Sequence, residues 1–199
     1  MKRVGLTGGL ATGKSTVGRY LVALGAHLLD ADQLVHALYE TDHALQQKIL
    51  RRFGPRVATP QGTIDREALG NIVFANAIAR HHLEQIVHPR VRTCIGEESA
   101  RLEHDGASLI LYDIPLLFES GFPWDFDAIV VAVCDDATQR HRVMARYHCT
   151  AAEAEQRIAT QMALDQKKAA ADFVVDTSGA LSATQAQVAQ VYTALLATA

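Results

Sequence analysis

The 199-residue chain has few cysteines, few aromatic side chains and no long apolar run. Its three cysteines, Cys94, Cys134 and Cys149, show neither CxxC spacing nor a metal-ligand pattern, so we expect reduced thiols. No apolar stretch approaches the length of a membrane span, and glycines interrupt the N-terminus too early for a secretory signal. We therefore predict a soluble, cytoplasmic protein without a membrane partner.

An excess of positive charge is also absent. The 19 Lys and Arg residues stand against 22 Asp and Glu, which gives a formal net charge of −3. This balance argues against binding nucleic acid through bulk electrostatics, although a local basic cleft for a small phosphorylated substrate is compatible with it. Because 49% of the residues are hydrophobic, the chain can bury the core of one domain with a small insertion.

Short apolar runs alternate with helical patterns along the chain. Val4 to Thr7 is the first run, a helical pattern covers 14–24, and a second run follows at 26–29. The order strand, helix, strand predicts a βαβ unit and a parallel sheet covered by helices. Three further strands, for a total of five, are expected at 108–112, 128–133 and 172–176.

Helical patterns account for the remaining segments. Helices are expected at 32–40, 43–53, 66–75, 77–103, 137–148, 150–168 and 181–197. Pro89 should break the fourth of these, because the residue before a proline avoids the helical region. Thr150 and Glu153 form a capping-box pattern at the start of the sixth.

Residues 8–15 read Gly-Gly-Leu-Ala-Thr-Gly-Lys-Ser and match the Walker A pattern. Glycine lets the backbone wrap a phosphate with its N–H groups, and the following helix points its N-terminus at the same anion. Lys14 can reach the β- and γ-phosphates, and the Ser15 hydroxyl can coordinate Mg²⁺. The predicted ATP-binding residues are Gly8, Gly9, Ala11, Thr12, Gly13, Lys14, Ser15 and Thr16.

Three features favour a small-molecule kinase over a GTPase or a mechanical ATPase. The chain lacks the guanine-reading Asn-Lys-x-Asp, it is short, and it has an arginine-rich segment after the fourth strand, where nucleoside-monophosphate-type kinases place a mobile lid. Arg142 and Arg146 share one helix face and can stabilise the charge of a transferring phosphoryl group. Arg140 is expected on an exposed face.

Carboxylates follow two of the predicted strands. Asp30 and Asp32 come at the end of the second strand, which we expect next to the Walker A loop. Asp32 either acts as the base for an acceptor hydroxyl or caps the following helix. Asp113 ends a Leu-Ile-Leu-Tyr-Asp run and resembles the Walker B ligand of Mg²⁺. The apolar segment 115–119 either lines a substrate cleft or packs inside.

Together these motifs resemble the dephospho-CoA kinase family. The matching stretches are Gly5–Val17, Asp30-Ala-Asp32, Asp65-Arg66-x-x-Leu69 with Phe74, His88-Pro89-x-Val91, Asp113–Glu119, Gln139-x-x-Arg142-x-x-x-Arg146, Arg157-Ile-x-x-Gln161 and Ala171–Asp176. They occur in the order of the family and cover residues 4 to about 180. The resemblance implies ATP-dependent phosphorylation of the ribose 3′-hydroxyl of dephospho-CoA, the last step of coenzyme A synthesis.

The resemblance also implies an architecture in three parts. An α/β, three-layer P-loop kinase core with a five-stranded parallel sheet would comprise 1–31, 106–138 and 170–199. A helical CoA-binding insertion would occupy 32–105, and a helical lid 139–169. The partners would be ATP and dephospho-CoA, the cofactor Mg²⁺, and the assembly a monomer or small homo-oligomer that binds no nucleic acid.

Residue roles follow from the motifs and the resemblance together. The predicted catalytic residues are Asp32 as base, Lys14, Arg142 and Arg146. The predicted acceptor-site residues are Asp32, Arg66, His88, Pro115, Leu116 and Leu117. The predicted Mg²⁺ ligands are Ser15 and Asp113.

Two stretches depart from the pattern of the family. Ala11 and Thr12 stand where the family usually has Gly and Ser, and we expect phosphate binding to tolerate them. Thr177 replaces a common Asn and removes an amide from the predicted adenine-site turn. Two other functions stay open: a P-loop kinase for another nucleotide or hydroxyl acceptor, and a nucleotide-dependent regulatory protein without transfer activity.

Overall fold

The structure, a computed structural model, describes residues 1–120 and 125–197. Within these ranges five strands form one sheet in the order β2-β3-β1-β4-β5. The strands are β1 (Lys2–Gly8), β2 (His27–Asp30), β3 (Leu109–Asp113), β4 (Ala128–Val133) and β5 (Phe173–Asp176). The predicted α/β fold with a five-stranded parallel sheet is confirmed.

The centre of the sheet is apolar because helices cover both of its faces. Leu109, Ile110 and Leu111 of β3 are fully buried, as are Val130 and Val131 of β4, which is the pattern of parallel strands covered on both faces. β1 lies between β3 and β4. β3 therefore separates β2 from β1.

Helices connect the strands. They are α1 (Lys14–Ala23), α2 (Ala31–Thr41), α3 (His43–Phe53), α4 (Arg66–Ala75), α5 (Ala77–His104), α6 (Asp136–Tyr147), α7 (Ala151–Ile158), α8 (Leu164–Ala169) and α9 (Leu181–Ala197), with a 3₁₀ turn at Pro55–Val57. The predicted capping box of Thr150 and Glu153 is present at the start of α7. In the part of the chain that the structure describes, none of the helices has the length and apolarity needed to cross a bilayer.

Two predicted helix boundaries are wrong. α5 continues through Pro89, because Val87 and Val91 on either side are buried and their packing offsets the lost hydrogen bond. The single helix expected over 150–168 is divided into α7 and α8. Its interruption includes Met162, whose N–H donates to the Glu119 carboxylate at 2.9 Å instead of continuing a helix.

The chain divides into two compact units. The first comprises Met1–Leu29 and Leu102–Ala199 and contains the sheet core. The second, Asp30–Arg101, has its own core. Its fully or nearly fully buried side chains include Leu45, Ile49, Val57 and Leu69. The limits 32–105 for an acceptor domain and 139–169 for a lid stay predictions.

Candidate active site

The Walker A loop joins β1 to α1. Ala11 and Gly13 both have left-handed backbone conformations, with φ of 57° and 84°. The Thr12 hydroxyl donates to the Gly9 carbonyl at 2.9 Å and closes the loop on itself. Gly13 is the N-cap of α1 and supplies no side-chain oxygen to the first N–H groups of the helix. These N–H groups and the dipole of α1 together suit an anion.

Three glycines of the loop have no room for a side chain. A Cβ at Gly8 would lie 2.7 Å from the Ala132 carbonyl oxygen. One at Gly9 would lie 2.8 Å from Gln139 Nε2, and one at Gly13 would lie 2.8 Å from Thr177 Oγ1. Close neighbours therefore favour glycine at all three positions, and at Gly13 the left-handed backbone requires it as well. The predicted ATP-binding residues lie at the last residue of β1, in the segment that follows it and in the first turn of α1.

Lys14 and Asp113 form an ion pair at the end of the central strands. Their side chains are only 16% and 12% exposed. Asp113 is the last residue of β3, whose neighbour β1 leads into the loop. The structure thus brings together the predicted phosphate-binding lysine and one predicted Mg²⁺ ligand. Ser15, the other predicted ligand, is exposed in the first turn of α1.

Arg142 lies beside the loop through Thr177. Its Nη1 donates to Thr177 Oγ1 at 2.9 Å, and its Nη2 donates to the Thr177 carbonyl at 2.6 Å. Thr177 is only 4% exposed, and its hydroxyl donates in turn to the Thr12 carbonyl at 2.7 Å. The residue that breaks the family pattern therefore connects a predicted catalytic arginine to the Walker A loop.

Gln139 is a contact of the loop to which the sequence analysis assigned no role. Its side chain is nearly buried, and Nε2 donates to the Leu10 carbonyl at 2.9 Å. The spacing in the sequence could have indicated this contact. Gln139 lies three residues before Arg142 and therefore shares its helix face.

Arg146 makes a different contact. Its guanidinium lies 5.5 Å from the centre of the Tyr147 ring, and that of Arg157 lies 5.0 Å from the same ring. Arg146 and Arg157 thus both lie against Tyr147. A contact between Arg146 and phosphate stays a prediction. Arg140 is 45% exposed and pairs with Glu155 at 3.0 Å, which agrees with its predicted surface position.

The apolar segment after β3 divides between packing and exposure. The Thr7 hydroxyl donates to the Pro115 carbonyl at 3.2 Å and fixes the start of the segment against β1. Leu117 is buried, whereas Leu116 is 46% exposed. Of the three predicted acceptor contacts here, Leu117 thus packs inside and Leu116 is accessible.

In the second unit, Asp30 and not Asp32 is the N-cap of α2. Asp30 Oδ1 accepts the Gln33 N–H at 3.0 Å at the start of α2. Asp32 is exposed in the first turn of the same helix. The alternative in which Asp32 caps the helix is therefore wrong.

Arg66 and His88 also belong to the second unit. Arg66 is exposed at the start of α4, and its charge partly opposes the burial that raises the pKa of Tyr39 to about 12. His88 is half-buried on α5, and desolvation lowers the pKa of its imidazole against the opposing effect of Glu84. His88 is therefore neutral at pH 7.

A cavity of about 870 Å³ in the first unit extends from Gly9 past Gln139 and Ser178. Gln161 also lines it, and the Gln161 Oε1 atom is buried without a hydrogen-bond partner among the described residues. A buried acceptor without a partner costs about 1–3 kcal/mol, which a ligand N–H or O–H can recover. The cavity therefore suits a polar ligand that reaches the loop.

Comparison with known proteins identifies relatives over almost the whole chain. The dephospho-CoA kinase family model matches residues 2–183. A dephospho-CoA kinase of Anaeromyxobacter dehalogenans is 47% identical over 180 residues, which are 90% of this chain and 85% of that protein. Two solved structures are similar as well: TT1252 from Thermus thermophilus (TM-score 0.83, 31% identity, 97% and 96% of the two chains) and a dephospho-CoA kinase from Campylobacter jejuni (TM-score 0.71, 27% identity, 96% and 95%).

Proposed function

Because the chain belongs to the dephospho-CoA kinase family, we propose that it phosphorylates the ribose 3′-hydroxyl of dephospho-CoA at the Walker A loop, giving coenzyme A and ADP. The observation that supports this proposal best is the convergence on one loop of Lys14, its partner Asp113 and the Arg142–Thr177 pair. A loop of backbone donors beside fixed cations is what phosphoryl transfer needs, since catalysis there is mainly positioning and charge stabilisation.

The donor side consists of the loop and the arginines. N–H groups of residues 8–16 hold the phosphates, and Lys14 neutralises charge on the γ-phosphoryl group. Arg142 is held in place by two hydrogen bonds to Thr177, so little side-chain entropy remains to be lost when it meets phosphate. Arg146 adds a second cation from the same helix face.

Mg²⁺ is the proposed cofactor, and Ser15 and Asp113 are the proposed ligands. A hydroxyl and a carboxylate are the hard oxygen donors that this ion prefers, and it is commonly held by one or two such groups together with substrate phosphates. When bound, the ion neutralises charge on the phosphate oxygens. The pairing of Lys14 with Asp113 keeps both side chains at the end of β1 and β3.

Asp32 is the proposed base on the acceptor side. It takes the proton of the ribose 3′-hydroxyl as the new oxygen–phosphorus bond forms and the bond from the γ-phosphorus to ADP breaks. Since Asp30 already caps α2, Asp32 is not required for that role. Arg66, His88 and residues 115–117 are the proposed acceptor contacts.

The experiment incubates the purified protein with Mg-ATP and dephospho-CoA and detects coenzyme A by mass. We expect stoichiometric coenzyme A and ADP, and none from a Lys14→Met control. Folded protein that makes no coenzyme A would refute the proposal. ATP consumption with a different hydroxyl acceptor in the same assay would support the alternative kinase.

The setting of the enzyme is also a proposal. We propose that it acts in the cytoplasm as a monomer or small homo-oligomer, on ATP and dephospho-CoA, without nucleic acid or membrane. Light scattering of the purified protein measures the oligomeric state, and cell fractionation measures the location.

A further inference from the structure

Lys167 is the largest fully buried side chain in the described part of the molecule. Burying an ammonium group is costly unless it is paired and hydrogen-bonded. Lys167 Nζ pairs with Glu119 Oε1 at 2.7 Å and donates to the carbonyls of Gly8 at 3.3 Å and Pro115 at 3.5 Å. The three donors of the ammonium group therefore have three acceptors.

Glu119 keeps this buried lysine paired. Burial alone raises the pKa of the Glu119 carboxyl, but hydrogen bonds from Lys167 and from the Met162 N–H hold that pKa below its usual range. The carboxylate is therefore ionised at neutral pH. The ion pair fixes the ammonium group next to Gly8, the first residue of the Walker A loop.

Among the residues that the structure describes, Lys167 is one of three that lie outside the loop and donate a side-chain hydrogen bond to one of its carbonyls. Gln139 donates to the carbonyl of Leu10 at 2.9 Å, and Thr177 donates to that of Thr12 at 2.7 Å. The acceptors are thus the alternate residues 8, 10 and 12. The donors come from α6, α8 and the turn after β5.

Because the peptide bond is planar, a side chain that holds a carbonyl also fixes the direction of the next N–H group. A carbonyl and the N–H of the following residue lie in one plane and point in opposite directions. Holding the carbonyls of residues 8, 10 and 12 therefore orients the N–H groups of Gly9, Ala11 and Gly13. A Walker A loop binds phosphate with its backbone N–H groups, so the direction of these peptide planes bears on binding.

The glycines of the loop allow this arrangement. The atoms nearest to a Cβ built at Gly9 and Gly13 include the donor atoms of Gln139 and Thr177 themselves, each 2.8 Å away. A larger residue at either position would displace the side chain that holds the neighbouring peptide.

We propose that Lys167, Gln139 and Thr177 are positioning residues that fix alternate peptide planes of the Walker A loop and thereby aim its N–H groups at the phosphates of ATP. The proposal rests on the proposed function, because it concerns the nucleotide site of the same enzyme. Because it concerns the binding of ATP alone, it can be tested without dephospho-CoA.

The test measures the dissociation constant of Mg-ATP by calorimetry for Thr177→Val, Gln139→Leu and Lys167→Met, without dephospho-CoA. Urea unfolding of each variant first establishes that it is folded under the assay conditions. We expect each variant to bind Mg-ATP about tenfold more weakly, because a peptide plane that is no longer held points its N–H less strictly at the phosphate. Thr177→Ser, which keeps the hydroxyl, should restore binding to within about threefold of wild type.

The matched control is Thr193→Val. Thr193 also donates its hydroxyl to a main-chain carbonyl, that of Ala189 at 3.0 Å, but it does so in α9. We expect it to bind Mg-ATP as wild type does. If Lys167→Met does not fold, Thr177→Val and Gln139→Leu still decide the question. Folded variants with wild-type affinity would overturn the proposal.

The assay separates this proposal from the proposed function. Wild-type protein that binds Mg-ATP but makes no coenzyme A would refute the function and leave the affinity comparison valid. In active protein, the three substitutions should raise the KM for ATP about tenfold and change the KM for dephospho-CoA less than twofold. A change confined to the free energy of unfolding would mean that these residues only stabilise the fold.

Discussion

The guanidinium of Arg142 donates to both oxygens of Thr177, to the hydroxyl at 2.9 Å and to the carbonyl at 2.6 Å. Two bonds from one planar group fix its direction more strictly than a single bond would. Since Thr177 also donates to the Thr12 carbonyl, the position of this arginine and that of the loop depend on one threonine.

Arg142→Lys should therefore lower kcat/KM for ATP by about tenfold or more, although the charge is kept. A lysine ammonium is a point donor and cannot reproduce the planar pair of bonds. Steady-state kinetics with varied ATP measure the effect. Arg140→Lys is the control, because Arg140 is exposed and pairs with Glu155 on the surface. Equal activity of the two variants would contradict a positioned role for Arg142.

Asp32→Asn should lower kcat by about 10²–10⁴, the usual contribution of a general base, with the affinity for ATP unchanged. Asp30→Asn is the matched control two residues earlier. Asparagine caps helices as well as aspartate does, so this variant should keep its stability and turnover. Rapid-quench kinetics measure the turnover of each variant, and a nucleotide-binding assay measures its affinity for ATP. Near-normal turnover of Asp32→Asn would remove Asp32 as the base.

Ala11→Gly should stabilise the protein by about 1 kcal/mol. Ala11 has a φ of 57°, a conformation that costs an L-residue about 1–2 kcal/mol, and glycine avoids most of that cost. The same substitution at Ala189, in the middle of α9, should instead destabilise by about 1 kcal/mol. Urea unfolding measures both. The same sign for both variants would argue against strain at Ala11.

Acid should destabilise wild-type protein more steeply than Glu119→Gln. The pKa of Glu119 in the folded protein is below its usual value of 4.5, so the folded state binds this proton less readily than the unfolded chain. The stabilisation is present above pH 4.5 and is lost as the pH falls through the lower folded pKa.

Urea unfolding at a series of pH values from 7 to about 3 measures this difference. Other carboxylates with lowered pKa values, such as Asp42 and Asp176, are unchanged in the variant and contribute equally to both curves. Parallel curves for the two proteins would show that the Lys167–Glu119 pair does not act through this proton.

Local patterns were enough to predict the sheet and the Walker A loop. β3 is apolar up to its last residue, Asp113, and β4 is apolar throughout. The glycines and Lys14 form one contiguous motif, so each of these patterns could be recognised within a few residues. The choice between Asp30 and Asp32 as helix cap was harder. Both are good caps two residues apart, and such boundaries shift by one or two residues for small local reasons.

Long-range contacts account for what sequence reasoning missed. The break between α7 and α8 brings Met162 to Glu119, 43 residues away in the chain. Lys167 is separated by 159 residues from the carbonyl of Gly8 that it binds. A repeating pattern of nearby residues cannot indicate partners so far apart in the chain. The sequence also favours a surface position for Lys167, because it lies next to another lysine, Lys168. The burial of Lys167 could only be found in three dimensions.

The terminal helix α9 lies almost wholly beyond residue 183, where the family model ends. Yet Val188, Val191 and Leu195 of α9 share the core with Val17 and Leu21 of α1, the helix that begins at the Walker A lysine. A helix outside the range that the family model matches thus packs against the helix that begins at Lys14 and supports it. A substitution that leaves a cavity at Val188 or Leu195 would therefore loosen the packing of α1, although both residues lie far from Lys14 in the sequence.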